Sequence, residues 1–125
     1  MPNSSDFAEK DLSHVNLAST DLAGADLHAA TLRDATLTDA NLEGADLTSA
    51  DMARANLGGA CLRNASAAHA NLADADLRDA DLEGANLRGA RMAGAKLGDT
   101  QRATATAAGA DFAVDTGDGD AASTG

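Results

Sequence analysis

The sequence contains no tryptophan or tyrosine and only two phenylalanines among its 125 residues. It therefore cannot build the aromatic-rich core on which many globular domains depend. A single cysteine, Cys61, excludes an intrachain disulfide. Apolar runs fall far short of the about 20 residues that a transmembrane helix needs, so we expect no membrane span. The first six residues lack the basic and apolar segments of a secretion signal, which predicts a cytoplasmic protein.

Basic residues are scarce as well. Nine Lys and Arg residues stand against 20 Asp and Glu residues, a net charge of -11. Residues 1–57 hold ten acids and three bases, whereas residues 58–112 hold seven acids and six bases, so the excess is concentrated in the first half. This charge disfavours direct binding to nucleic acid or to an anionic membrane, and it favours a protein partner with a basic surface.

What the sequence does contain is a spacing of five. Of the 22 positions from Phe7 to Phe112 in steps of five, 19 are Leu, Met or Phe, and alanine stands two residues earlier at every step from Ala25 to Ala95. On an α-helix such leucines would scatter around the axis, because five residues rotate by about 140° net. On a flat strand they would alternate between faces. The chain must therefore bend once in each unit of five, with Ala and Leu both facing inward.

The residues that follow each central position carry the chemistry of tight turns. Gly, Asp or Asn occupies 13 of the 22 positions two residues after the centre. These residues tolerate the backbone conformations of sharp corners better than others do. The position just before each centre is mostly Asp or Asn and should face outward.

Tandem units such as Ala-Asp-Leu-His-Ala at 25–29 and Ala-Asn-Leu-Arg-Gly at 85–89 resemble the pentapeptide-repeat family, over about residues 6–112. The resemblance implies an all-β fold, a right-handed quadrilateral β-helix with four repeats in each of about five coils. We predict a lead-in over residues 1–5, the β-helix over residues 6–112, and a disordered acidic tail over residues 113–125.

Several positions depart from the pattern. Ala67 should leave a small void in a column of leucines. Arg102 cannot lie unpaired in an apolar core, so we expect the coil near residues 99–110 to be loosened or bulged. Phe7 and Phe112 are expected to cap the two ends, where a solenoid otherwise exposes unpaired edges.

With four repeats per coil, outward residues 20 apart form ladders. The candidate interaction site is a set of acidic ladders on three faces, composed of Asp6, Asp26 and Asp46, of Asp11 and Asp51, and of Asp21. The predicted function is a non-enzymatic protein-interaction module, an acidic rod that acts as scaffold or regulator of a partner protein.

Two alternatives remain open. Some members of the family, the quinolone-resistance type, are dimers that imitate duplex DNA and bind DNA gyrase. The resemblance therefore implies a second function, a DNA mimic that binds gyrase or a topoisomerase and confers resistance to topoisomerase poisons, with a homodimer as an option. The simplest alternative is that Asp and Asn occupy the outward position for the sake of the turn, and that the acidity is a by-product.

The residues that could support other chemistry are few. His28 and His69 fall on one predicted face but about 10 Å apart, and His14 falls on another, so they should not share a metal. Cys61 has no predicted histidine neighbour that would activate a thiol. We therefore predict no catalytic residue, no metal site and no cofactor.

Overall fold

A computed structural model describes residues 6–113. Its β-structure consists of single-residue parallel bridges, each of which joins two residues 20 positions apart. Since the repeat has five residues, four repeats make one turn of the stack. The bridged columns begin at Asp6, Asp11, Asn16 and Asp21, and they end at Asn86, Asp111, Lys96 and Asp81.

Two parts of the predicted organisation are left as predictions. The right-handed sense of the winding is implied by the resemblance alone. The lead-in of residues 1–5 and the tail beyond Ala113 lie outside the described residues.

Each repeat turns the chain through one corner. The carbonyl of Leu27 accepts the N–H of Ala30 at 3.0 Å, and Ala29 between them has φ of 56°, the pattern of a type II turn. The same residue of every repeat from Glu9 to Gly94 has φ between 56° and 76°. This conformation costs a residue with a side chain about 1–2 kcal/mol, so other interactions in the coil must stabilise the corners.

That support comes from the ladders and the core. The N–H of Leu27 donates to the carbonyl of Asp46 at 2.7 Å, and the N–H of Asp46 donates to the carbonyl of Ala25 at 2.9 Å. This pair of bonds recurs between successive coils. The inward side chains of Ala25 and Leu27 are fully buried, as are most of their equivalents. The first coil is less covered, since Phe7 and Leu12 are only partly buried against the core.

The void predicted at Ala67 is confirmed. A cavity of about 10 Å³ lies between Ala67 and the surrounding apolar side chains, which include Leu72 and Leu87. Its walls offer no polar atom to a water molecule, and the space is at the lower limit of what one water needs. The cavity is therefore a dry defect in the column of leucines.

The all-β prediction needs a correction near the end of the described chain. Helix α1 spans Asp99–Ala107, where we expected a loosened or bulged coil. The reason lies in Arg102, whose side chain is exposed and whose guanidinium carbon is 4.1 Å from the centroid of the Phe112 ring. A coil would direct this arginine inward, whereas the helix turns Ala105 into the core instead.

The side chain of Gln101 attaches α1 to the backbone of the last coil. The Gln101 amide Nε2 donates to the carbonyls of Leu77 at 2.6 Å and Ala80 at 2.7 Å. Its Oε1 accepts the N–H of Gly98 at 2.8 Å, which caps the start of the helix. In regular coils a backbone N–H reaches the equivalent of the Ala80 carbonyl, so the Gln101 side chain replaces a missing ladder bond.

A glycine ends the helix. The N–H of Ala110 donates to the carbonyl of Ala105, and the N–H of Gly109 donates to the carbonyl of Thr106, as in a Schellman motif. Gly109 has φ of 99°, and a Cβ there would lie 2.9 Å from the Cα of Arg88, so only glycine fits. The ladder resumes at Asp111 without loss of phase.

Candidate functional site

Three candidate carboxylates form one continuous ladder. Bridges join Asp6 to Asp26 and Asp26 to Asp46, so these residues are aligned on one face of the first three coils. The column then continues through Ser66 and Asn86, which carry no charge. The acidic face is thus confined to the beginning of the described chain, and we call Asp6, Asp26 and Asp46 the acidic face below.

The other candidates lie on neighbouring columns, as predicted, but their ladders are interrupted. Thr31 stands between Asp11 and Asp51, and Asn41 follows Asp21. The Asn41 amide nitrogen is 3.5 Å from the Asp21 carboxylate. Uncharged residues separate the carboxylates of these columns, so the columns concentrate less charge than the acidic face does.

Each of the six candidate carboxylates also has a structural task. Its Oδ1 accepts the backbone N–H two residues further on, at distances such as 3.1 Å from Asp26 to His28 and 3.0 Å from Asp46 to Thr48. Such a bond holds the side chain over the turn that follows. The remaining four make the same bond: Asp6, Asp11, Asp21 and Asp51.

Asparagine performs this task equally well. Asn56 accepts the N–H of Gly58 at 3.0 Å, and Asn86 accepts the N–H of Arg88 at 3.0 Å. The turn therefore explains why Asp or Asn precedes each central residue, but it does not explain why the acidic face uses Asp at every step. The turn uses only one oxygen of each carboxylate, so the turn itself does not occupy the other.

The candidate carboxylates differ in how far they are neutralised. Asp51 binds Nε of Arg33 at 2.5 Å and accepts a bond from the Asn71 amide. In contrast, none of Asp6, Asp26 and Asp46 takes part in a salt bridge within residues 6–113. No salt bridge within the described residues therefore offsets the charge of the acidic face.

Hydrogen bonds hold two of these groups in the ionised form. The side chain and backbone of Thr48 lower the pKa of Asp46, and the side chain and backbone of Ser13 lower the pKa of Asp11. Both residues therefore stay negative well below neutral pH.

Three of the seven carboxylates in residues 58–112 form salt bridges with arginine instead. Arg63 lies 3.2 Å from Asp81 and 3.3 Å from Glu83. Arg78 contacts Asp76 with two nitrogens and lowers the pKa of that carboxyl to about 2. Local pairs thus account for part of the near balance of charge in residues 58–112.

Sequence reasoning missed a column of charged corner residues. His14, Asp34 and Arg54 lie 20 residues apart, at equivalent corners of successive coils. Asp34 and Arg54 form two hydrogen bonds of 2.9 Å. His14 Nε2 is 4.0 Å from the Asp34 carboxylate. The signal for this pairing is present in the sequence, because a period of 20 places these three corner residues in one column.

Metal ligation and membrane insertion each need a feature that can be checked in the described residues. Within residues 6–113 no three His, Cys, Asp or Glu side chains are grouped closely enough to hold a metal ion. Among the same residues, no helix has the length and apolar character to cross a membrane.

Comparison with protein families gives a match over most of the chain. The family model described as pentapeptide repeats (8 copies) matches residues 3–34, 30–66 and 68–101. No curated protein matches the sequence.

Several solved structures share the architecture. HetL, a pentapeptide repeat protein involved in heterocyst differentiation regulation from the cyanobacterium Nostoc sp. strain PCC 7120, is 40% identical over 71% of this chain, with a TM-score of 0.70. Rfr23 from the cyanobacterium Cyanothece 51142 is 30% identical over 79%, with a TM-score of 0.66. A pentapeptide repeat protein of the Arabidopsis thaliana thylakoid lumen is 32% identical over 79% of this chain and covers 73% of its own, with a TM-score of 0.61. The matches span 41% of HetL and 64% of Rfr23.

Proposed function

Because this chain belongs to the pentapeptide repeat family, we propose that it is a non-enzymatic interaction module whose acidic face binds a basic surface of a partner protein. The observation that carries this proposal is that Asp6, Asp26 and Asp46 are aligned and form no salt bridge within residues 6–113, whereas Asp76, Asp81 and Glu83 of the later coils each pair with an arginine. Three aligned carboxylates that form no salt bridge offer a row of acceptors to lysine and arginine.

The shape of the acidic face supports the same function. Parallel bridges hold the three carboxylates at the spacing of adjacent strands, about 4.8 Å, so a partner meets them in a fixed geometry. Little conformational entropy is lost on binding, because the bond to the backbone already restrains each side chain. The cytoplasmic location and the non-enzymatic character are parts of this proposal that rest on the sequence.

A matched pair of double variants tests the charge without disturbing the turns. Asp26→Asn with Asp46→Asn removes two charges from the acidic face, and Asp74→Asn with Asp79→Asn removes two from corners of the later coils. Asparagine can keep the turn bond in the first pair and tolerates the left-handed corner in the second. A partner obtained by affinity capture is purified and titrated with all three proteins.

We expect the acidic-face variant to bind at least about tenfold more weakly, a loss of roughly 1.4 kcal/mol, and the corner variant to bind as the parent does. Raised salt should reduce the difference, since the charges are exposed. Equal binding by the two variants would remove the acidic face from the function.

The charge of the first coils also supports the alternative of a DNA mimic that binds gyrase or another topoisomerase. Residues 1–112 carry a net charge of -8. Over a rod of roughly 25 Å this gives about one charge per 3 Å, against about one per 1.7 Å in duplex DNA. The charge density is lower than that of duplex DNA, so we place this function second.

A supercoiling assay with purified DNA gyrase decides this alternative. A DNA mimic should inhibit supercoiling or protect the enzyme from a quinolone, and the acidic-face variant should lose the effect. If the parent protein does neither, gyrase is not the partner. Sedimentation of the same protein shows whether the homodimer implied by the family analogy forms.

A further inference from the structure

The edge of the last regular coil is open where α1 turns away from it. One coil earlier, the N–H of Leu62 donates to the carbonyl of Asp81 at 2.8 Å, and the N–H of Asn64 donates to the carbonyl of Glu83 at 3.0 Å. Leu82 and Gly84 occupy the same positions in the next coil. Within residues 6–113 their N–H groups donate to no backbone carbonyl, because the residues that would accept lie in α1.

A groove is lined by Leu82 and by Glu83, the residue before Gly84. It has about 180 Å³ of free space and separates the edge from the inward side of the helix. This space is small for a drug-sized molecule, but three consecutive residues of the strand edge, Asp81, Leu82 and Glu83, line it, where an extended backbone can lie. Its lining residues are Ala80, Asp81, Leu82, Glu83, Thr100, Gln101 and Thr104.

The chain itself shows that this edge accepts an amide from outside the coil. The Gln101 side chain donates to the Ala80 carbonyl at 2.7 Å, in place of the backbone N–H of a further coil. The Ala80 carbonyl, which is an acceptor at this edge, therefore already has a donor. The unsatisfied groups are donors, so the missing occupant must supply carbonyl oxygens two residues apart.

The charge beside the groove indicates what kind of segment fits. Asp81 and Glu83 both line it, and Arg63 is the one cation that forms salt bridges with them in the part of the chain that the structure describes. One negative charge is left over, which favours a basic segment.

We propose that this edge binds an extended basic peptide segment of a partner protein as an added parallel strand. Two carbonyls of the peptide accept the N–H groups of Leu82 and Gly84, which is the hydrogen-bonding mode of strand addition. The site lies on a different column from the acidic face and does not depend on it. A partner can therefore occupy either surface alone.

The chain supplies a suitable probe. A synthetic peptide that copies residues 85–93, Ala-Asn-Leu-Arg-Gly-Ala-Arg-Met-Ala, carries two arginines and no acidic residue. In the protein this segment presents the carbonyls of Asn86 and Arg88 to the N–H groups of Ala67 at 2.7 Å and His69 at 2.9 Å. It therefore has the carbonyl spacing that the open edge requires. Its enantiomer, built from D-amino acids, has the same charge and is the matched control.

The test is a titration of the full chain, labelled with ¹⁵N, with the end-capped peptide. We expect the amide resonances of Leu82 and Gly84 to shift, and their hydrogen exchange to slow by about tenfold at ninety per cent occupancy. The amides of Leu42 and Gly44 already donate to Cys61 and Arg63 and should not change. The D-peptide should have no such effect.

Two variants confirm the location. Thr104→Trp fills the groove and should abolish the shifts, whereas Ala103→Trp on the outer side of α1 should leave them intact. The proposal is overturned if Leu82 and Gly84 do not respond at millimolar peptide, or if the D-peptide or the Thr104→Trp variant gives the same response. Shifts that grow with protein concentration alone would also overturn it, because the occupant would then be a second copy of this chain.

Discussion

Residues 25–95 and residues 98–110 lie in the same register of five-residue units, yet only the first stretch folds into regular coils. The stretches differ in what the central positions carry. In the first they are Leu or Met apart from Ala67, whereas in the second they are Arg102 and Ala107. The comparison teaches that the spacing permits a coil, and that large apolar side chains facing inward make the coil more stable than a helix.

The largest expected effect concerns the core of the regular coils. Leu47 is fully buried and stands in the same column as Ala67. Leu47→Ala should lower the free energy of unfolding by about 2–5 kcal/mol, because it adds a second cavity to that column. Ala67→Leu, which fills the existing cavity, should raise it by about 0.5–2 kcal/mol. Urea denaturation measures both, and equal values for the two variants would contradict the account of the core.

The next effect concerns the attachment of α1. Gln101→Ala removes the amide that donates to the carbonyls of Leu77 and Ala80, and the Ala80 carbonyl then lacks its donor, so we expect a loss of about 1–3 kcal/mol. The helical signal in circular dichroism should fall while the coils remain. Thr100→Ala in the same turn is the control. An unchanged helix in the Gln101→Ala variant would show that its contacts do not hold α1.

These two stretches also differ in how far the sequence alone predicts them. The inward-facing residues, the corners and the void at Ala67 can be predicted from the spacing, because every repeat has the same geometry. Helix α1 was missed because Gly109 fits a corner as well as it fits the end of a helix. The signals that identify the helix are Gln101 three residues after Gly98 and the loss of Leu at two successive centres.

The candidate site was predictable to a similar degree. The period of 20 places Asp6, Asp26 and Asp46 on one face, as the bridges confirm. The pairing of Asp51 with Arg33 was not predictable, since it crosses columns between residues 18 apart and depends on side-chain rotamers. Whether the unpaired carboxylates bind a partner stays a prediction.

A smaller effect tests the turns of the regular coils. Asp26→Ala should cost about 0.5–1.5 kcal/mol, because the N–H of His28 loses its acceptor. Asp26→Asn should change stability by less than about 0.5 kcal/mol, since Asn makes this bond elsewhere in the chain. Thermal denaturation distinguishes the two. If Asp26→Asn lowered the stability as much as Asp26→Ala does, the charge itself would stabilise the coil.

The smallest effect is the response to acid. Arg78 lowers the pKa of Asp76 to about 2, from an ordinary value of 3.8. The folded protein thus holds this proton less tightly than the unfolded chain does, so the stabilisation is complete above about pH 5 and is lost as the pH falls toward 2. Both groups are exposed in part, so the change is small. Asp76→Asn should flatten the acid limb of a stability profile, and a parent that becomes more stable below pH 4 would contradict the sign.

The most direct test of the central claim is a crystal structure of the Arg102→Leu, Ala107→Leu variant. If inward apolar side chains select the coil, residues 99–107 will leave the helix, and parallel bridges will join Asp81 to Gln101 and Asn86 to Thr106. A helix that persists over these residues, with both substituted side chains in solvent, would contradict the claim.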